Sequence, residues 1–195
     1  MSHLVLASGS PRRKELLEQI GVLFTVQSAD IDETPLVGEK AADYVERLAE
    51  EKALAVLANN PEKVILAADT SVVLNGEILG KPDSQAHAVD MLQSLSGKHH
   101  KVMTGIAMVT KQNGQVSVQT QVVVTDVEFL SLSQAQIEEY VATGEPMDKA
   151  GAYGIQGKAA VFVKQIQGCY SNVVGLPLGQ TGLMLNEFQI PVWQK

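Results

Sequence analysis

Apolar residues recur along this chain in two rhythms, and the alternation between them sets the expected architecture. Leu4-Val5-Leu6-Ala7 and Val64-Ile65-Leu66-Ala67-Ala68 are short unbroken apolar runs suited to strands buried on both faces. The first run breaks at Ser8-Gly9-Ser10-Pro11 into a helix start, with Ser10 as N-cap and Pro11 at the first helical position. Leu16, Leu17 and Ile20 then form a helical stripe that Gly21 stops. A second strand is expected over Val22 to Gln27, followed by the acidic loop Asp30-Ile31-Asp32-Glu33-Thr34-Pro35.

From Glu39 to Leu57 the sequence predicts a long Ala-rich helix, with Val45, Leu48, Ala49 and Val56 on one face. Lys52 falls on that face, either snorkelling to water over a buried stem or aimed into a cleft. Asp69 is expected at the exit of the Val64 to Ala68 strand, as a turn cap or a projecting carboxylate. Ser71 to Leu74, Asn75-Gly76 and Glu77 to Leu79 read as a hairpin leading to Gly80-Lys81-Pro82. Asp83 can cap a helix from Ser84 to Leu95, stopped by Gly97. Lys101 to Thr110 and Gln115 to Phe129 read as long strands joined at Asn113-Gly114. The apolar parity switches near Val123, which predicts a bulge or a strand shared by two packing layers. Ser133 to Gln136 is a capping box with Leu132 and Ile137 as its staple. Glu145 to Lys158 is a glycine-rich polar loop of the length usually kept for function. A strand over Ala159 to Ile166 and a helix from Pro177 to about Glu187 follow. The sum is an α/β fold in one domain, without repeats or separating linkers.

Composition narrows the partners. No apolar run approaches the ~20 residues of a membrane span, and no secretory signal opens the chain, so no membrane partner is expected. Cys169 is the sole cysteine, which excludes a disulfide framework and makes the cytoplasm the expected compartment. A net charge of −7 argues against a nucleic-acid polymer but not against one small anion held by local cations. Such cations stand where they are least expected. Arg12, Arg13 and Lys14 crowd a helix N-terminus that is already positive, beside the hydroxyls of Ser8 and Ser10 and the flexible Gly9. A solvated basic corner is one reading; an anion cradle is the other.

The sequence has no G-x-x-x-x-G-K-[ST], no G-x-G-x-x-G after a strand, no G-x-S-x-G and no H-E-x-x-H. What remains is a set of cations (Arg12, Arg13, Lys52, Lys81) and carboxylates (Glu33 and Asp69, with Asp30, Asp32 and Asp148 outside it). Phosphoryl chemistry needs both, cations for phosphate oxygens and carboxylates for a hard metal or an attacking water. Composition reaches only a phosphate-handling α/β protein, and the carboxylates could equally be solvated turn residues.

Motif order is more specific. Ala7-Ser8-Gly9-Ser10-Pro11-Arg12-Arg13, Asp32-Glu33, Glu51-Lys52-Ala53, Ala67-Ala68-Asp69-Thr70, Gly80-Lys81-Pro82, Ser96-Gly97 with His100 to Gly105, Ala150 to Gly157 and Asn172 to Pro177 occur here in register. In this the chain resembles the Maf family, over nearly its whole length. The resemblance implies a fold related to the inosine triphosphatases, a mixed twisted sheet flanked by helices, with two lobes around a deep cleft. It implies a nucleoside triphosphate pyrophosphatase that cuts between the α- and β-phosphates with a divalent cation, Mg2+ or Mn2+. By the same resemblance Asp69 is the proton acceptor, and Ser8, Arg13, Glu33, Lys52 and Lys81 handle phosphate and metal, with Glu33 and Asp69 as metal ligands. Gly9 and Ser10 belong to the phosphate cradle. Arg12, Thr70 and Gln156 match the positions that set base preference, and they carry the residues of the dTTP/UTP branch. A homodimer is implied, together with housecleaning of nucleotide pools. The alternatives are a nucleotide-binding regulator of septum formation, and a pyrophosphatase for 7-methyl-GTP or inosine nucleotides.

Overall fold

Leu4–Leu6 (β1) pairs in parallel with Phe24–Val26 (β2) on one side and with the start of Val64–Leu74 (β3) on the other. The helix Pro11–Gln19 (α1) makes the crossover to β2, and Ala41–Leu57 (α2) makes the crossover to β3. From β3 onward the sheet turns antiparallel. Glu77–Leu79 (β4) folds back on β3, and His99–Gln112 (β5), Gln115–Phe129 (β6) and Val163–Gln167 (β7) add in succession. The sheet thus has seven strands in the order β2-β1-β3-β5-β6-β7, with β4 beside β3. The helices Gln85–Leu95 (α3), Gln134–Ala142 (α4), Tyr170–Val174 (α5) and Leu178–Glu187 (α6) complete the fold. The computed structural model describes residues 3–194. None of its helices is long and apolar enough to cross a membrane.

Side-chain alternation on β3 explains how both sheet faces are covered. Ile65 and Ala67 meet Ala49, Ala53 and Val56 of α2, while Leu66 and Ala68 meet Leu17, Met184 and Leu185 from α1 and α6. Further along, Val72 and Leu74 enter a separate cluster with Leu92, Phe129 and Ile137, built by α3 and α4. Burying a side chain of this size contributes ~1.5–3 kcal/mol, so these three clusters dominate the cohesion of the sheet. The helix α2 packs its backbone closely against β5 at Gly105. A Cβ at Gly105 would stand 2.2 Å from the Val45 carbonyl oxygen, so only glycine permits that approach.

One edge of β3 is paired throughout by β5, over Ile65 to Val73. The other edge is paired by β1 at Val64 to Leu66 and by β4 at Val72 to Leu74. Between these partners the edge from Ala68 to Ser71 is open, and this notch defines the cleft. Asp69 is therefore a mid-strand residue beside a gap and not the exit residue the apolar run suggests. The sequence reading stops the strand there because a carboxylate inside a buried strand is costly unless something accepts its charge.

Other boundaries also differ. Ser84, not Asp83, caps α3 by accepting from His87 N–H, while Asp83 lies 3.3 Å from the His87 ring. The pairing of β5 with β6 is unbroken, so the parity switch near Val123 is no bulge there. The N-terminal half of β6 meets α2 through Thr120 and Glu46, and only its C-terminal half, with Val127 and Phe129, reaches the α3–α4 cluster; the irregularity falls at Glu128/Phe129 against β7. Residues Lys158–Phe162 form a 3-10 turn instead of the first half of a strand, because Ala159 and Phe162 are both buried from a coiled backbone. The short helix α5 has no counterpart in the sequence reading.

Candidate active site

The corner after β1 is shaped by backbone before side chains. Ala7 N–H donates to the Leu66 carbonyl at 2.8 Å as the last ladder contact, and the chain then leaves the sheet. Ser10 is the N-cap residue of α1, but its side chain makes no cap bond; its N–H donates to Ser8 Oγ at 3.2 Å. Arg13, in the first turn of α1, uses all three guanidinium nitrogens. Nε donates to the Gly175 carbonyl (2.8 Å), Nη1 to Ser8 Oγ (3.2 Å) and Nη2 to Thr70 Oγ1 (3.1 Å). Gly175 offers that carbonyl from a backbone φ of +127°, a region other residues avoid. Thr70 is braced in turn by Thr104 Oγ1 at 2.9 Å, and Thr104 donates to the Asn172 carbonyl. Burial lowers the Arg13 pKa, against the pull of the nearby Asp69 charge. A fixed guanidinium with spare N–H groups is suited to planar anionic oxygens.

Across the notch, Lys52 bonds two carboxylates at once. Its Nζ lies 2.7 Å from Asp69 Oδ1 and 2.8 Å from Glu33 Oε1. Lys52 and Asp69 side chains are each 11% exposed, whereas Glu33 is 52% exposed, so the triad runs from the interior to the surface. Removing one partner of such a buried pair costs far more than the pair contributes. Tyr44, on the Lys52 face of α2, donates its hydroxyl to the Glu33 carbonyl at 2.8 Å. Burial, then the charges of Asp69 and Glu33, push its phenol up to about 12, so it remains a donor.

The opposite wall is the Glu145 to Lys158 segment, which folds as a ring of 3-10 turns. Glu145 closes it, accepting from Tyr140 Oη at 3.0 Å and from Lys158 N–H at 3.0 Å. Lys149 Nζ donates to the Glu145 carbonyl (2.7 Å) and to Asp148 (2.6 Å), and Arg12 reaches Asp148 at 3.6 Å across the mouth. Burial opposes the charge on Asp148, but Lys149 and Arg12 outweigh it and hold the carboxyl below its ordinary value. Beneath the ring, the Tyr153 hydroxyl lies 2.8 Å from His100 Nε2, and the imidazole packs edge-on against Phe129. Lys81 and Gln156 are exposed on the same wall.

All eleven residues singled out from sequence, Ser8, Gly9, Ser10, Arg12, Arg13, Glu33, Lys52, Asp69, Thr70, Lys81 and Gln156, line this one cleft of about 500 Å³. That size suits a small organic ligand. Asp30 and Asp32 do not reach it, while Asp148 does. The sequence reading passes over Tyr44 and Thr104. Tyr44 was findable, standing two helical turns before Lys52 with Leu48 between them; Thr104 carries no such mark.

Comparison with known proteins adds an independent line. The family description "Maf-like protein" matches residues 3–188. The dTTP/UTP pyrophosphatase of Colwellia psychrerythraea is 54% identical over 187 residues, spanning 93% of this chain and 86% of that protein. The dTTP/UTP pyrophosphatase of Symbiobacterium thermophilum is 50% identical, spanning 99% of this chain and 97% of its own length. That of Hahella chejuensis is 49% identical, spanning 97% and 94%.

Proposed function

The chain belongs to the Maf family, and from that premise we propose that it is a nucleoside triphosphate pyrophosphatase acting on dTTP and UTP. Relatives of near-equal length that bear that name support the substrate. The carrying observation is the convergence of four cations from three distant segments (Arg12 and Arg13, Lys52, Lys81) on one cleft, opposite Asp69. The triphosphate docks on the Ser8–Arg13 corner, with Lys81 as a mobile point charge. Arg13 offers the N–H groups its three structural bonds leave over. Lys52 aims the Asp69 carboxylate, which orients a water towards the α-phosphorus and takes its proton. The bond broken joins the α-phosphorus to the bridging oxygen, and pyrophosphate leaves with that oxygen. Gln156, with both a donor and an acceptor, reads the pyrimidine edge, and Arg12, which reaches Asp148 on that wall, bounds that end of the site, whereas Thr70 stands with Arg13 in the phosphate corner.

A divalent cation fits this donor set. Among the described residues no group of three or more His, Cys, Asp or Glu could hold a metal alone. Glu33 and Asp69 nevertheless share one ammonium, and each keeps a second oxygen. Mg2+ is commonly held by one or two carboxylates plus substrate phosphates, so Glu33 and Asp69 would be its protein ligands. When bound, it would neutralise charge on the phosphate oxygens.

Purified protein incubated with dTTP or UTP should release pyrophosphate and the monophosphate, and Asp69→Asn should stop turnover while nucleotide still binds. Release of single orthophosphates, or full activity in Asp69→Asn, would overturn the reading.

A further inference from the structure

Glu33 is the exposed member of the carboxylate–ammonium triad, and the segment that carries it has little reason to stay put. Between Gln27 and Lys40 the chain has neither strand nor helix. Ala29 and Ile31 at its start are half-buried, but beyond Glu33 the large apolar residues Leu36 and Val37 face solvent, so apolar burial does not anchor the part around and after Glu33. What holds its backbone there is polar and comes from two residues of α2. Tyr44 Oη donates to the Glu33 carbonyl (2.8 Å), and Arg47 Nη2 donates to the Thr34 carbonyl (3.3 Å). Arg47 also forks onto Glu39, through Nε at 2.6 Å and Nη2 at 2.8 Å, and Glu39 accepts from Leu36 N–H at 2.9 Å. The Arg47 hydrogen bond holds the Glu39 carboxyl down at about 2, so this clasp stays ionised across the neutral range. The guanidinium sits 5.6 Å from the Tyr44 ring centroid, which ties the two donors together. Tyr44 and Lys52 lie eight residues apart on one helix face. The same helix therefore holds Glu33 twice, by its carbonyl and by its carboxylate.

We propose that Tyr44 and Arg47 are positioning residues whose grip on the backbone at Glu33 and Thr34 sets where the Glu33 carboxylate stands against Lys52 and Asp69. Their role is exerted through Glu33; Tyr44 also lines the cleft, whereas Arg47 does not. Their effect on turnover rests on the pyrophosphatase reading, whereas their effect on the loop does not.

The test combines a double-mutant cycle with amide exchange on the full chain. Tyr44→Phe removes one hydroxyl and keeps the ring. It should speed exchange of the Glu33 to Leu36 amides while those of β3 are unchanged. With UTP as probe it should lower kcat about tenfold and move KM less than about threefold, the size of one lost hydrogen bond. In a Glu33→Gln background the same substitution should cost less than about twofold, because its target is already gone. Arg47→Lys, which keeps charge but loses the fork, should behave alike. An equal cost of Tyr44→Phe in both backgrounds, or unchanged exchange in the loop, would overturn the proposal. Should the wild-type chain release no pyrophosphate, the exchange measurement still decides it: faster loop exchange supports the clasp and unchanged exchange refutes it.

Discussion

Acid should loosen this protein through His100 before it reaches most carboxylates. The imidazole is 3% exposed, packs between Phe129 and Tyr153, and its Nδ1 has no hydrogen-bond partner. Burial foremost, and then the neighbouring His99, push its pKa from 6.5 down to about 4, with Asp126 pulling weakly the other way. Because the folded-state value is depressed, the unfolded chain binds the proton first. The stability is complete above about 6.5 and is lost as the pH falls through that value towards 4. Linkage gives a loss of ~2 kcal/mol by pH 5 and ~3 kcal/mol by pH 4 from this one ring. Urea unfolding of the wild type and of His100→Gln, from pH 7 to pH 4, isolates it from the carboxylates that both proteins share. The gap between their unfolding free energies should shift by ~2 kcal/mol between pH 7 and pH 5, against the wild type. A gap that stays constant to within ~0.5 kcal/mol would show that the ring meets water or a counter-charge and would refute the argument.

Two further substitutions probe the frame of the cleft. Gly105→Ala sets a methyl against the backbone of Val45 and Glu46, at 2.2 to 2.8 Å, and must lift α2 with Lys52 from the sheet. Chemical denaturation should show a loss of ~3 kcal/mol, and an unchanged midpoint would mean that α2 does not lie as described. Arg13→Lys keeps the charge but cannot serve Gly175, Ser8 and Thr70 together. Steady-state kinetics with UTP should show kcat/KM lower by roughly a hundredfold, and a change within about twofold would remove Arg13 from the site.

Local chemistry made much of this fold readable. Asn75-Gly76 and Asn113-Gly114 announce hairpins because both residues of each turn need positive φ, and they have it. Ser133 and Gln136 form the reciprocal cap their spacing suggests. The anomaly of three cations at the α1 N-terminus pointed to the corner where the other candidate residues gather, although Lys14 turns away to Glu18. What sequence hides is pairing. Nothing near Asp69 says that β1 ends and β4 begins on the same edge of β3, so its place at a notch reads as the end of a strand. Lys52 was ambiguous for the same reason, since its two carboxylate partners arrive from segments that local pattern cannot connect to it. Tyr44 shows its helical spacing to Lys52, but its acceptor, a backbone carbonyl of the Glu33 loop, leaves no mark in the pattern.

The contact between Arg13 and the Gly175 carbonyl joins positions 162 residues apart. During synthesis the guanidinium emerges well before its third acceptor, with strands β2 to β7 made in between. Until then it can satisfy only Ser8 and Thr70, and the phosphate corner lacks one strut. A chain halted before Gly175 can therefore bury β1 and β3 together yet hold this arginine by only two of its three acceptors. The finished shape of the phosphate corner waits on one backbone oxygen far along the chain.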